Sequence, residues 1–313
     1  MTSLVVTDAV PAAIRSVVDK YGPGNAVEAV DSPEKLLASG VDGVVVAAAT
    51  DAHPELIVAA VEAGVPVFCE KPVAKTMTEG VAVARRVAGS GVPIQIGYPR
   101  RFDAGFAAVR QAIASGELGW VHTVRSTTLD PAPPPAAYLA VSGGIFRDCS
   151  IHDFDAVRFV TGREVVRVYA VGENRGEAFF AESGDVDAAA AVLTLDDGTT
   201  AVVSGSRYNA RGYDVRLELL GSKDSVCVGM DDRLPLRSLE AGVDFPSARP
   251  YADFMERFHQ AYVDEMVAFA ELVAGRIETP CSVQDALQAF LVAEACNLSR
   301  REGRPVHMDE IGR

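Results

Sequence analysis

Three short stretches of this 313-residue chain carry side chains whose types and spacing could do chemistry. The richest is Gly143-Gly144-Ile145-Phe146-Arg147-Asp148-Cys149-Ser150-Ile151-His152-Asp153-Phe154-Asp155. With a helix starting near Asp148, the residues Asp148, His152 and Asp155 stand at i, i+4 and i+7 and share one face. A carboxylate one turn ahead of an imidazole fixes its tautomer and stabilises the imidazolium, which a general base needs. Acidic residues in a first helical turn are also ordinary caps, so the pattern alone does not separate the two uses. The second stretch is Glu70-Lys71-Pro72, directly after a strand whose carboxyl end should face a cofactor crevice. A lysine there orients a substrate hydroxyl, or deprotonates it in a closed, dry cleft, although Lys-Pro is equally a common way to leave a strand. The third is Ala48-Ala49-Thr50-Asp51-Ala52-His53, where small residues would let a cofactor approach and His53 begins the next helix as a contact, a cap or a surface residue. No metal is expected, because His152 and its neighbouring aspartates have no second ligand cluster.

The elements that must position these groups follow from periodicity. In the first hundred residues, strand-like runs at Ser3–Thr7, Asp42–Ala48, Val65–Cys69 and Pro93–Gly97 alternate with helical segments at Pro11–Tyr21, Pro33–Ala38, Ala52–Ala63 and Thr76–Ala88. Strand and helix in strict alternation imply a doubly wound, Rossmann-like α/β domain over residues 1–98. The apolar run from Val44 to Ala48 suits a strand buried on both faces. From residue 99 to 313 the pattern changes. A helix at Phe102–Ser115, a strand at Trp120–Leu129, a stiff loop from Pro131 to Pro135 and a helix from about Asp148 to Thr161 precede at least four alternating strands between Val165 and Met230. Two long helices close the chain, Asp253–Ala274 and Val283–Arg301. This half is expected to be an α+β substrate-binding and oligomerisation domain with a large, mostly antiparallel sheet.

Composition narrows the function classes. Hydrophobic residues make up 49% and charged residues 23%, which excludes disorder as the main theme. No apolar run approaches the length of a membrane span, and no secretory leader is seen at the start. A net charge of −14 argues against a nucleic-acid partner. The five cysteines are widely spaced and form no CxxC pair, which suits reduced thiols in a cytoplasm.

One feature of a dinucleotide-binding domain is missing. No strand-turn-helix carries GxGxxG: Gly22-Pro23-Gly24 and Gly89-Ser90-Gly91 have Val27 and Ile94 where the third glycine belongs. The first run ends at Asp8 and reads as a second strand, whose acidic end partners an adenosine ribose and disfavours a 2′-phosphate. The chain therefore reads as starting one βα unit late. The expected cost is a gap of roughly 10 Å in the sheet, or a re-pairing of the strands on either side. A start codon set too far downstream, or a real short form without tight cofactor binding, would each account for it.

Taken in order, the Thr50 to His53 turn, Glu70-Lys71-Pro72 and GG-x3-D-x3-H resemble the Gfo/Idh/MocA family of nicotinamide-dependent oxidoreductases. Gly97-Tyr98-Pro99-Arg100-Arg101-Phe102-Asp103, Asp130 to Pro135 and Gly212-Tyr213-Asp214 are similar to its inositol 2-dehydrogenase group. Carried over by these matches, the resemblance implies Lys71, Asp148 and His152 as the catalytic set, with Arg101, Asp155 and Tyr213 on the polyol hydroxyls. It places Asp8, Thr50, His53, Glu70 and Lys71 along an NAD site, NADP being less suited. It implies oxidation of a ring hydroxyl to a ketone, with either Lys71 or His152 taking the proton, and a homodimer or homotetramer. Pro99, Leu129 and Asn209-Ala210-Arg211 depart from that group, so a different cyclitol or a pyranose enters the expected substrate range. A non-catalytic polyol-binding protein of the same fold is the alternative.

Overall fold

Short parallel strands alternate with helices from the start of the chain to Gly97, as the periodicity demands; the computed structural model describes residues 3–24 and 26–311. The order is β1 (Leu4–Val6), α1 (Pro11–Tyr21), β2 (Val27–Ala29), α2 (Pro33–Ala38), β3 (Val44–Val46), α3 (His53–Glu62), β4 (Val67–Glu70), α4 (Met77–Val87) and β5 (Ile94–Gly97). Local chemistry sets several of the helix starts. Proline occupies the first turn of α1 and α2, Ser32 accepts the Lys35 N–H ahead of α2, and Thr76 with Glu79 forms a capping box on α4. The strand β2 was not anticipated; Glu28 at its centre leaves no apolar run to mark it.

These strands form two sheets. The strands β1 and β2 pair in parallel, and β3, β4 and β5 form a separate parallel sheet in that order. Of the two expected outcomes, the strands flanking the interruption do not re-pair. The strand β3 is consequently an edge, which corrects the expectation of burial on both faces: Val46 is buried but Val45 is 51% exposed.

The chain divides into two compact units, Met1–Gly97 with Met266–Leu287, and Tyr98–Glu265 with Gln288–Arg313. The first unit thus recruits a segment from far along the chain. Phe269 and Leu272 join Phe68 in one apolar cluster, with the Phe68 and Phe269 rings 5.9 Å apart. The Ile96 N–H donates to the Cys281 carbonyl at 2.9 Å. A Cβ added at Gly80 would stand 2.7 Å from the Leu287 side chain, so the segment sits close against α4.

The second unit is built from α5 (Ala104–Ala114), β6 (Val121–Leu129), α6 (Ala136–Ser142), α7 (Ile145–Asp148), α8 (Ile151–Thr161), β7 (Val165–Glu173), α9 (Phe179–Glu182), β8 (Ala188–Leu195), β9 (Thr200–Ser206), β10 (Asp214–Gly221) and β11 (Ser225–Val228). The chain ends through α10 (Phe254–Arg257), α11 (His259–Val273), α12 (Val283–Glu302) and β12 (Val306–His307). Seven strands form one sheet in the order β11-β10-β6-β9-β8-β7-β12, antiparallel throughout except for β6 beside β9. Val215, Leu217 and Leu219 face inward and are buried, while Arg216 and Glu218 point the other way. Helix α8 packs on β6, β9 and α5. The expected continuous helix from Asp253 is broken at Phe258, which is buried beneath the Arg257 guanidinium at 4.6 Å. Helix α6 occupies residues between the stiff loop and the helix expected from Asp148, to which no element was assigned; Pro135 caps its start, and Gly143 at φ 81° ends it in the left-handed region.

Candidate active site

The Asp148–His152 stretch is not the single helix expected of it. Asp148 closes the one-turn helix α7, and His152 lies in the first turn of α8. At the junction the Ser150 N–H reaches back five residues to the Ile145 carbonyl, and Asp153 N–H reaches only three, to Ser150. The chain widens and then tightens, so strict i, i+4, i+7 spacing does not hold across Cys149 and Ser150. Both of these residues are buried, which fixes the turn from within. His152 is half-buried, and the buried Tyr98 ring meets it edge-on, with centroids 5.7 Å apart.

Asp148 is anchored at both oxygens. Its Oδ2 accepts from Arg207 Nη2 at 2.7 Å, and its Oδ1 accepts from the Tyr138 hydroxyl at 2.8 Å. The Arg207 guanidinium also donates to Asp130 Oδ2 at 2.8 Å. Burial works against the charge of Arg207, but the neighbouring Asp148 and Asp130 carboxylates outweigh it and raise its pKa. Burial raises Tyr138, and the adjacent Asp148 raises it further, so the phenol remains a donor. Sequence reasoning assigned no role to Arg207 or Tyr138. Asp130 and Arg207 are neighbours because the parallel pairing sets Leu129 opposite Ser206, one residue before each.

The other residues expected on the substrate side are occupied within the protein. Arg101 and Asp155 form a two-point ion pair, Nε to Oδ2 at 2.9 Å and Nη2 to Oδ1 at 2.6 Å, both side chains buried. They meet each other rather than standing as two separate hydroxyl ligands. Arg101 also lies over the Phe159 ring. One residue earlier, Arg100 makes a fully buried pair with Asp153 Oδ1, which accepts from Ser126 and Thr128 as well. That cluster ties the turn after Gly97 to α8 and β6. Tyr213 is buried, with its ring edge-on to Phe254; burial raises its pKa, opposed by Arg100.

In the first unit, the ends of β3 and β4 bring His53, Glu70 and Lys71 together. His53 was expected along a cofactor site; in the structure its ring is turned into the protein. The ring is 1% exposed, with Nδ1 2.8 Å from the Pro72 carbonyl and Nε2 3.0 Å from the Ala48 carbonyl. Both nitrogens face backbone acceptors, so the imidazole staples the turn after Lys71 to the end of β3. Glu70 ends β4 beside Gly97, where an added Cβ would stand 3.0 Å from its Oε2. Burial raises the Glu70 pKa, with Lys71 and His53 pulling it down. Lys71 is half-buried and its peptide bond to Pro72 is cis. Thr50 opens a short 3₁₀ turn after the exposed Ala47, Ala48 and Ala49. Asp8 is exposed and accepts the Val10 N–H at 2.6 Å. A dinucleotide fits these residues in part: the small exposed side chains after β3 leave backbone within reach, and the Asp8 carboxylate is exposed. No glycine-rich turn that would cradle a pyrophosphate occurs among the described residues.

Comparison with known proteins bears on this arrangement. Residues 5–98 match the oxidoreductase family with an NAD-binding Rossmann fold, and residues 106–227 match the GFO/IDH/MocA C-terminal domain. A myo-inositol dehydrogenase of Streptomyces leeuwenhoekii is 38% identical over 93% of this chain and 88% of its own length. An inositol 2-dehydrogenase of Rhizobium meliloti is 36% identical, covering 97% of this chain and 90% of the relative. Among solved structures, a scyllo-inositol dehydrogenase of Lactobacillus casei with bound NAD(H) and scyllo-inositol superposes with a TM-score of 0.86 at 27% identity, covering 98% of this chain and 91% of that one.

Proposed function

Because this chain belongs to the GFO/IDH/MocA oxidoreductase family, we propose that it oxidises a ring hydroxyl of an inositol, or of a related sugar, to the ketone with NAD. The observation that carries this reading is the Asp148 carboxylate, held by two donors at the end of α7, with His152 entering α8 four residues later. A carboxylate fixed in this way stabilises a positive charge forming on an imidazole next to it. His152 takes the hydroxyl proton, Asp148 supports the imidazolium, and Lys71 orients and polarises the oxygen. NAD, when bound, supplies the hydride acceptor. Asp8, Thr50 and Glu70 are assigned to its side, and Asp8 selects against a 2′-phosphate. The Arg101–Asp155 pair and Tyr213 are assigned to the polyol wall, where a preorganised ion pair presents fixed dipoles to hydroxyls.

The same reading makes the protein a cytoplasmic homo-oligomer. No helix among the described residues is long and apolar enough to cross a membrane, and all five cysteines are free thiols. The outward face of the large sheet shows Tyr169, Val171 and Val192, each more than 40% exposed, on adjacent strands β7 and β8. A second copy would cover these side chains, and light scattering on the purified protein reads the number of copies.

The activity is tested by following NAD reduction over a panel of cyclitols and aldoses. Turnover with one or more of them, abolished in Lys71→Ala, is the expected result. A protein that binds a polyol, shows no turnover and keeps its ligand response in Lys71→Ala is a binding protein, and the proposal fails.

A further inference from the structure

We propose that Arg207 is a positioning residue for the proton-transfer pair: by bridging Asp130 and Asp148 it keeps both carboxylates ionised together and aims Asp148 along α7. The inference rests on the reading of Asp148 and His152 as the groups that handle the proton. It begins from a fact of packing. Asp130 leaves β6 and Arg207 leaves β9 side by side, and the Asp130 N–H donates to the Ser206 carbonyl at 2.9 Å. The Arg207 side chain is 5% exposed, Asp148 11% and Asp130 22%, so water reaches the two carboxylates but hardly the arginine between them. Both acid groups accept from one guanidinium fork, Nη1 to Asp130 and Nη2 to Asp148. Two carboxylates held on one guanidinium repel each other, and without the cation each raises the proton affinity of the other.

The neighbours of Asp148 leave that task to Arg207. Tyr138 on α6 donates a neutral hydrogen bond to it. Cys149 is buried and its thiol is pushed up, so it brings no charge. Arg147, the adjacent cation, is turned away into an ion pair with Glu294 and lies over the Phe290 ring. Asp153 on α8 is taken up by Arg100. Tyr213, just before β10, is buried and stays neutral. His152 is the partner that the carboxylate is meant to serve.

A point charge cannot replace the fork. Lysine has one nitrogen to divide between two acids, whereas the planar guanidinium gives one N–H edge to each. Arg207→Met leaves Asp130 and Asp148 to share a proton. The acid limb of the kcat/KM profile should then rise by about one pH unit or more, a loss approaching about tenfold on the acid side of the limb that recovers as pH rises. Adding Asp130→Asn to Arg207→Met should bring the limb back down, because a single carboxylate then remains. Arg207→Lys should fall between the parent and Arg207→Met.

The experiment combines these pH profiles with a carboxyl carbon-13 titration of Asp148, identified by its loss in Asp148→Asn, which needs no turnover. A raised Asp148 titration in Arg207→Met and its reversal by Asp130→Asn support the proposal. A loss equal at every pH, or a limb that Asp130→Asn does not restore, overturns it and leaves Arg207 a structural ion pair. Should Arg207→Met fail to fold, Asp130→Asn alone decides: it gives Arg207 undivided to Asp148, so the limb should move down, and an upward move refutes the proposal. Asp148→Asn separates the two layers. If that variant keeps full turnover, the proton-transfer reading fails, while the carbon-13 titration still reports on the bridge.

Discussion

Replacing His53 with alanine removes the staple between the end of β3 and the turn after Lys71. The imidazole sits at 1% exposure with a nitrogen 2.8 Å from the Pro72 carbonyl and another 3.0 Å from the Ala48 carbonyl. A neutral ring donates one hydrogen bond and an imidazolium two, so at least one of these part-buried carbonyls loses its donor. An unsatisfied buried acceptor costs about 1–3 kcal/mol, and the space left by the ring adds to it. Together these give a loss of about 2–4 kcal/mol, against total stabilities of about 5–15 kcal/mol. Urea unfolding followed by circular dichroism measures it. Amide exchange locates it: β3, β4 and α3 should lose protection, while β6 to β10 keep theirs. Turnover should fall as well, because the Lys71-Pro72 backbone is no longer tied. His53→Gln, which can donate to one carbonyl, should recover part of both losses. A loss below about 0.5 kcal/mol with unchanged exchange in β3 and β4 would show that the two carbonyls find other donors, and would refute the argument.

Arg100→Met leaves Asp153 buried without its cation and should cost about 3–5 kcal/mol, whereas Arg100→Met with Asp153→Leu should cost much less; urea melts of both decide it. Gly97→Ala would set a Cβ 2.9 Å from Phe68 Cζ and 3.0 Å from Glu70 Oε2, so it should destabilise by about 1–3 kcal/mol and displace Glu70. Burial raises the folded-state pKa of Glu70, so the group favours folding at low pH and opposes it as pH rises through that pKa. Glu70→Gln should therefore melt above the parent at neutral pH, with the difference closing on acidification. Burial raises the thiols of Cys69, Cys149 and Cys296, so a disulfide reagent should reach the half-buried Cys227 first and the others only on unfolding.

Much of this protein is written locally. The alternation of strand and helix up to Gly97, the capping box at Thr76, and the inward Val215, Leu217 and Leu219 with polar residues between them all depend on neighbours a few positions apart. Periodicity sees such features, and the placing of His152 in the first turn of a helix belongs with them, whereas Asp148 ends a separate turn before it. Other features depend on residues distant in sequence. Periodicity could not show that Val45 lies on an open edge, because that depends on which strands pair. Nor could it place Phe269 and Leu272 against Phe68, some two hundred residues earlier.

The site divides in the same way. Lys71, Asp148 and His152 stood out as candidates because each sits in a motif of consecutive residues. His53 was legible as a residue of interest, but its task was not, since the Pro72 carbonyl reaches it only through the packing of β3 beside β4. Arg101 and Asp155 were both visible, yet their pairing spans 54 positions and depends on the fold alone. The grip of Arg207 on Asp148 and Asp130 depends on the parallel register of β6 and β9, which no spacing along the chain encodes. Residue types and local order told which chemistry was available; the tertiary structure decided which charges meet, because pairing across strands is set by burial and register rather than by sequence distance.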